Sequence, residues 1–158
     1  QGLDVAEALK RGPALDEEDV YWIEEPIVYD NLTGCAELAA ALNTPIQIGE
    51  NFWGPKALSA AIEAKALAYA MPDLERIGGI TGWLCAAAIP LSSHIFPEAS
   101  VHVMAATPTA HWLEYVDWAA PVLTHPLVAR DGHVRVPDRP GLGIDWNEDA
   151  VARYQVTL

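Results

Sequence analysis

Basic side chains are scarce in this chain: nine Lys and Arg stand against 22 Asp and Glu, a formal net charge of −13. A surface of that sign repels phosphate backbones and anionic lipid headgroups, so neither nucleic acid nor a membrane is expected as a partner. Cysteine is nearly absent as well. Cys35 and Cys85 lie in alanine-rich stretches of helical character with no Cys-x-x-Cys spacing. Two buried, reduced thiols are expected rather than a disulfide or a zinc site, and a cytoplasmic location with them. Long apolar runs are missing too: the longest, Trp83 to Leu91, is too short to cross a bilayer and contains Pro90. No basic stretch leads into an apolar segment near Gln1, so no secretory leader is expected among these residues.

Apolar residues fill 51% of the 158 positions, enough to bury the core of one domain. Five segments read as buried strands: Val20 to Glu25, stopped by Pro26; Pro45 to Glu50; Ala66 to Ala70, leading into Met71-Pro72-Asp73; Ile89 to His94; and His111 to Tyr115. Each carries an ionisable residue at or near its C-terminal end: Glu24, Glu50, Asp73, His94 and Glu114, spaced 26, 23, 21 and 20 residues apart. That interval fits one strand, one loop and one helix. In a (β/α)₈ barrel the strand ends converge on the C-terminal face, where the chemistry sits. The pattern predicts an α/β chain of βα units that aims acids and a histidine at a common face.

Between the strands, Asp4 reads as the N-cap of a first helix to about Glu18, with Glu7 three residues on in a capping-box arrangement. Leu32 to Leu42 is alanine-rich and helical, and Pro55 suits the first position of a helix to about Lys65. Arg76 to Gly82 reads as a glycine-rich loop, and Glu98 to Ala106 as another helix. Residues 1–120 are expected to form a partial, catalytic barrel. Residues 121–158 are expected to close onto it as a hairpin, Leu127 to Val136 turned by Asp131-Gly132, and a short helix capped by Asn147 and running to Tyr154. Two features suggest a fragment. The first helix has no strand before it, and only six residues separate Gly82 from Ile89, although a parallel crossover needs about a dozen in all. A stretch missing between Gly82 and Ile89 is the favoured reading.

The strings Trp22-Ile23-Glu24-Glu25-Pro26, Ile48-Gly49-Glu50-Asn51, Met71-Pro72-Asp73 with Ile77-Gly78-Gly79-Ile80-Thr81-Gly82-Trp83, Ser92-Ser93-His94, and Ala106 to Glu114 resemble, in order and approximate spacing, the mandelate racemase subgroup of the enolase superfamily. The resemblance runs over essentially the whole chain. It implies the later βα units of a modified TIM barrel, a bound Mg²⁺, and removal of the proton α to a carboxylate. It further implies that Glu24 and Glu50 are two of three carboxylate ligands of the metal, that Asp73 and His94 form a dyad with the histidine as general base, and that Glu114 is an electrophilic acid. The chemistry suits these types. Mg²⁺ takes hard oxygen ligands, a carboxylate beside an imidazole fixes its tautomer, and a protonated carboxyl can donate to an oxygen gaining charge. A third ligand, an aspartate, and a Lys-x-Lys base, which the family carries on earlier strands, are not found here; Lys10, Lys56 and Lys65 lie in helical segments without that motif.

Taken singly, each residue also has a structural reading. Glu24 is a solvated strand end before a proline, Asp73 a cap, His94 a core histidine, and Glu114 half of a surface ion pair with His111. The six tryptophans read as core and barrel-rim packing. Five ordered motifs at strand ends favour the joint, chemical reading. The expected substrate is a small carboxylate, and the expected assembly a homo-oligomer. Racemisation of a 2-hydroxy acid is the first functional expectation and dehydration of an acid sugar the second. If 158 residues are the whole product, an inactive barrel remnant is the third, because five strands cannot close an eight-stranded barrel.

Overall fold

A computed structural model describes residues 1–156. Helix α1 (Val5–Glu17) starts where Asp4 accepts the Glu7 amide at 2.8 Å. Only half of the expected capping box forms: the Glu7 carboxylate turns outward to Arg11 at 2.6 Å and Lys10 at 3.6 Å, cations one turn on. Helices α2 (Leu32–Ala41) and α3 (Pro55–Glu63) follow within two residues of expectation, with Pro55 in the first turn of α3. Strands β1 (Ile23–Glu24), β2 (Ile46–Ile48) and β3 (Tyr69–Ala70) pair in parallel in that order, Glu24 beside Gln47 and Gln47 beside Tyr69.

The fourth and fifth strands are present as single parallel bridges, Ala70 to Leu91, Asp73 to His94 and Leu91 to Ala110, instead of continuous ladders. Pro90 has no amide hydrogen to add to the ladder, and the fifth track lies at the open side of the sheet. Its backbone still pairs: His111 N donates to Leu91 O and Ser93 N to Trp112 O, both at 2.9 Å. Five parallel tracks therefore run in chain order with helices between them, as the periodicity predicts, and Leu3 adds a parallel bridge to Ile27 ahead of α1, where no strand is expected.

The crossover after β3 differs from expectation. Helix α4 (Gly79–Ala86) begins inside the string read as a loop, with Gly78 at its N-cap in a left-handed conformation, φ 102°. Counting from Gly82 missed its first turn. Ala70 and Leu91 pair in parallel across this helix. Gly82 is required there, since a Cβ would sit 1.9 Å from the Ile77 carbonyl oxygen. Next to it Trp83 is wholly buried and donates to Thr107 Oγ1 at 2.9 Å, fastening α4 to the end of α5 (Pro97–Ala105).

The core lies between the sheet and the helices, where Ile27, Leu38, Ile46, Ile48, Leu58, Ile77, Trp83 and Leu91 are all essentially inaccessible. Trp83 is the sole tryptophan buried there among the described residues. Trp53, Trp112, Trp118 and Trp146 are exposed, which the reading of the tryptophans as core packing did not anticipate. Cys35 is buried in α2, but Cys85 is exposed, since α4 turns that side to solvent; neither forms a disulfide. In the tail, Arg130 and His133 exchange backbone hydrogen bonds around Asp131-Gly132, both with positive φ as a tight hairpin turn requires. Helix α6 (Glu148–Tyr154) is capped by Asn147, which accepts the Ala150 amide at 3.0 Å. Tyr115 donates to Leu127 O at 2.6 Å and ties the tail to the end of the fifth track. No described helix is long and apolar enough to cross a membrane.

Candidate active site

The parallel register sets the tips of the tracks side by side. Asp73 and His94 are bridged, so their side chains emerge together, and His94 Nδ1 lies 3.0 Å from Asp73 Oδ2. The other oxygen of Asp73 accepts the amides of Glu75 at 2.8 Å and Arg76 at 3.0 Å. A carboxylate held at both oxygens cannot swing, and with an acceptor on Nδ1 the imidazole presents Nε2 to the cavity. Nε2 lies 3.4 Å from Glu50 Oε2. Three of the five expected residues, Glu50, Asp73 and His94, therefore form one chain of contacts. The structural reading of Asp73 as a cap also holds, because its Oδ1 caps the following turn while Oδ2 holds the histidine.

Glu24 and Glu114 lie apart from that chain and line a cleft of about 260 Å³ with Gln47, Met71, Ser93 and Trp112. Glu24 is exposed, and its Oε2 accepts from Trp22 Nε1 and Gln47 Nε2, each at 3.3 Å. Glu114 Oε2 accepts the Ile95 amide at 2.6 Å, and Glu114 N donates to Ser93 Oγ at 3.0 Å. Glu114 makes no ion pair with His111, which instead lies 2.8 Å from the Tyr21 hydroxyl. Ile95 and Phe96, just after His94, both have positive φ (38° and 46°), a conformation unfavourable for a β-branched residue. The Glu114 carboxylate thus anchors a strained turn beside the histidine.

Charge in the site is concentrated. Glu25 is buried, and its carboxyl is pushed above the usual range, first by desolvation and then by the neighbouring Glu50 carboxylate. Asn51 Nδ2 donates to Glu25 Oε2 at 3.2 Å and to Glu50 Oε1 at 3.1 Å. Arg76 Nη1 donates to Asn51 Oδ1 at 3.0 Å and to the Glu50 carbonyl at 2.9 Å. Sequence reasoning assigned no role to Glu25, Asn51 or Arg76. The doubled Glu24-Glu25 before Pro26 and the asparagine of Gly49-Glu50-Asn51 were the available signals, but the network that unites them is tertiary.

Glu25 and Glu50 are neighbours, and Glu24 precedes Glu25 at the end of β1; carboxylates are hard-oxygen donors that suit a small divalent cation such as Mg²⁺. Their mutual repulsion, visible in Glu25, is what a cation would relieve. Among the described residues no three His, Cys, Asp or Glu side chains converge into a ready cage. The buried Gln47 Oε1 and Ser92 Oγ, which have no protein partner among the described residues, give the cleft wall polar groups for a ligand.

Parallel βα units with acids and an Asp-His pair at the C-terminal strand ends define the catalytic-barrel class of α/β domain. The chain belongs to the enolase C-terminal domain-like family, whose model matches residues 1–150. It is similar to an enolase from Bradyrhizobium solved with magnesium and mandelic acid, at 52% identity and a TM-score of 0.93, covering 99% of this chain and 45% of that one. The L-talarate/galactarate dehydratase of Salmonella typhimurium is 34% identical over 99% of this chain and 41% of its own length. A racemase from Streptomyces coelicolor with bound magnesium is 31% identical, with a TM-score of 0.90 over 98% of this chain and 44% of that one. The chain spans less than half the length of these relatives.

Proposed function

We propose that residues 1–120 are the catalytic part of a Mg²⁺-dependent enzyme that removes the proton α to a carboxylate, with residues 121–156 closing onto it. The observation that carries this reading is the pairing of His94 Nδ1 with the doubly held Asp73, which leaves Nε2 facing the carboxylates. Glu24 and Glu50 would hold the metal, Glu24 leaving the Trp22 and Gln47 contacts it makes here, and the ion would supply positive charge beside the substrate carboxylate.

The rest is done by the protein's own groups. His94 Nε2 accepts the α-proton from one face of the substrate, and the Asp73 carboxylate stabilises the imidazolium that results. Glu114, braced by the Ile95 amide, donates a hydrogen bond to the substrate carboxylate as charge builds there. A proton returned by a second acid–base group on the opposite face gives racemisation of a 2-hydroxy acid. The likeness to the Bradyrhizobium enolase solved with mandelic acid supports this reading.

The likeness to L-talarate/galactarate dehydratase favours a second. There His94 acts as the acid. The α C–H bond breaks to a base on the other face, the His94 proton passes to the β-hydroxyl, the C–O bond breaks, water leaves, and the enol tautomerises to a 2-keto acid.

The test is a panel of 2-hydroxy acids and acid sugars with Mg²⁺ and the intact protein, following deuterium exchange and keto-acid formation together. Exchange without keto acid supports racemisation, and keto acid supports dehydration. Silence across both classes returns the chain to the remnant reading. In His94→Asn, exchange on one enantiomer should fall by at least ~10²-fold, the usual contribution of a general base. Equal loss on both enantiomers would contradict its face-specific role.

A further inference from the structure

The Asn51 amide and the Arg76 guanidinium connect the two halves of the site. Asn51 Nδ2 contacts Glu25 and Glu50, while its Oδ1 accepts from Arg76 Nη1 at 3.0 Å. That single Arg76 nitrogen also donates to the Glu50 carbonyl at 2.9 Å, so it grips both the main chain of the β2 tip and the side chain that orients its carboxylate. The Arg76 backbone is held in turn. Its amide donates to Asp73 Oδ1 at 3.0 Å, and its carbonyl accepts the Gly54 amide at 2.9 Å. Asp73 is also the partner of His94. An unbroken path of hydrogen bonds therefore runs from Glu50 through Asn51 and Arg76 to Asp73 and His94.

Asn51 is well matched to its place. Its amide nitrogen offers two donors to two carboxylates, and its oxygen accepts from a cation, whereas an aspartate would add a third negative charge. Arg76 brings a positive charge to this acidic cluster through the Glu50 carbonyl and the Asn51 amide oxygen.

We infer that Asn51 and Arg76 are positioning residues that set the distance and orientation of Glu50 relative to the Asp73–His94 pair. The inference rests on the reading of Glu50 as a metal ligand and His94 as the base. Groups that orient a ligand typically change metal affinity or activity by roughly 10–100-fold when removed.

Mg²⁺ affinity of the intact protein should be measured by calorimetry for Glu50→Gln, Asn51→Leu, Arg76→Met and Arg76→Lys, with thermal midpoints recorded alongside. Glu50→Gln should lose Mg²⁺ binding. Asn51→Leu and Arg76→Met should each weaken it by about tenfold or more and lower kcat with little change in KM for substrate. Arg76→Lys should recover part of the affinity, because it keeps the charge but not the fixed guanidinium geometry. A purely structural pin would move the thermal midpoints and leave the affinities alone. Should Asn51→Leu and Arg76→Met bind Mg²⁺ within twofold of wild type while Glu50→Gln does not, the positioning role is overturned and the ligand reading stands. Unchanged affinity in Glu50→Gln overturns the ligand reading itself. If Arg76→Met or Asn51→Leu does not fold, Arg76→Lys and Asn51→Ser take their places, with a smaller loss of affinity expected and wild-type affinity counting against the role.

Discussion

Glu25 shows how a single residue responds to its surroundings. Burial and the Glu50 charge raise its pKa above the ordinary 4.5, so the folded state holds a proton that the unfolded chain releases first. By linkage, that contribution to stability is complete below pH 4.5 and is lost as pH rises through the raised value. Glu25→Gln removes this loss. The metal-free variant should gain stability relative to wild type as pH is raised above 4.5, as read from urea denaturation at a series of pH values. A constant difference across that range would show that Glu25 does not titrate in this way.

Among the elements, helix α4 and the junction of α1 with β2 make separate demands. Gly82→Ala drives a Cβ into the Ile77 carbonyl, and α4 can relieve this only by shifting Trp83 out of its fit. A loss of about 1–3 kcal/mol is expected for such overpacking, measurable by urea denaturation. At the junction, the Asp16 carboxylate accepts the amides of Asn43 at 2.9 Å and Thr44 at 2.8 Å. These bonds, that of the Asn43 backbone first, hold its pKa below the ordinary 3.8. The sign is opposite to that of Glu25. The contribution is present above about pH 4 and lost as pH falls through the lowered value, so Asp16→Asn should cost stability at pH 7 and little or none near pH 2. Equal effects at both pH values would rule out the charged hydrogen bonds as the cause.

On the scale of the molecule, the exposed surface carries large apolar side chains that the described residues do not cover, with Trp53 73% and Trp118 72% accessible. Exposed aromatic surface of this kind favours association. The intact protein is expected to be a homo-oligomer at micromolar concentration by light scattering coupled to gel filtration. A monomer would overturn that expectation. With a net charge of −13 two copies repel each other, so added salt should strengthen the assembly.

Local chemistry was enough to read the order of βα units, the caps at Asp4 and Asn147, the Asp131-Gly132 hairpin, and the five ionisable residues at the strand tips. Period, turn residues and caps act over a few residues and leave their mark in the chain itself. Tertiary structure alone decided how those five residues divide. The parallel pairing brings Glu50, Asp73 and His94 into contact, whereas Glu24 and Glu114 face a cleft, because contacts between neighbouring tracks depend on register and twist rather than on spacing along the chain. The same reason hid Glu25, Asn51 and Arg76. Their hydrogen bonds join residues about 25 positions apart, a distance at which no local pattern constrains which side chains meet.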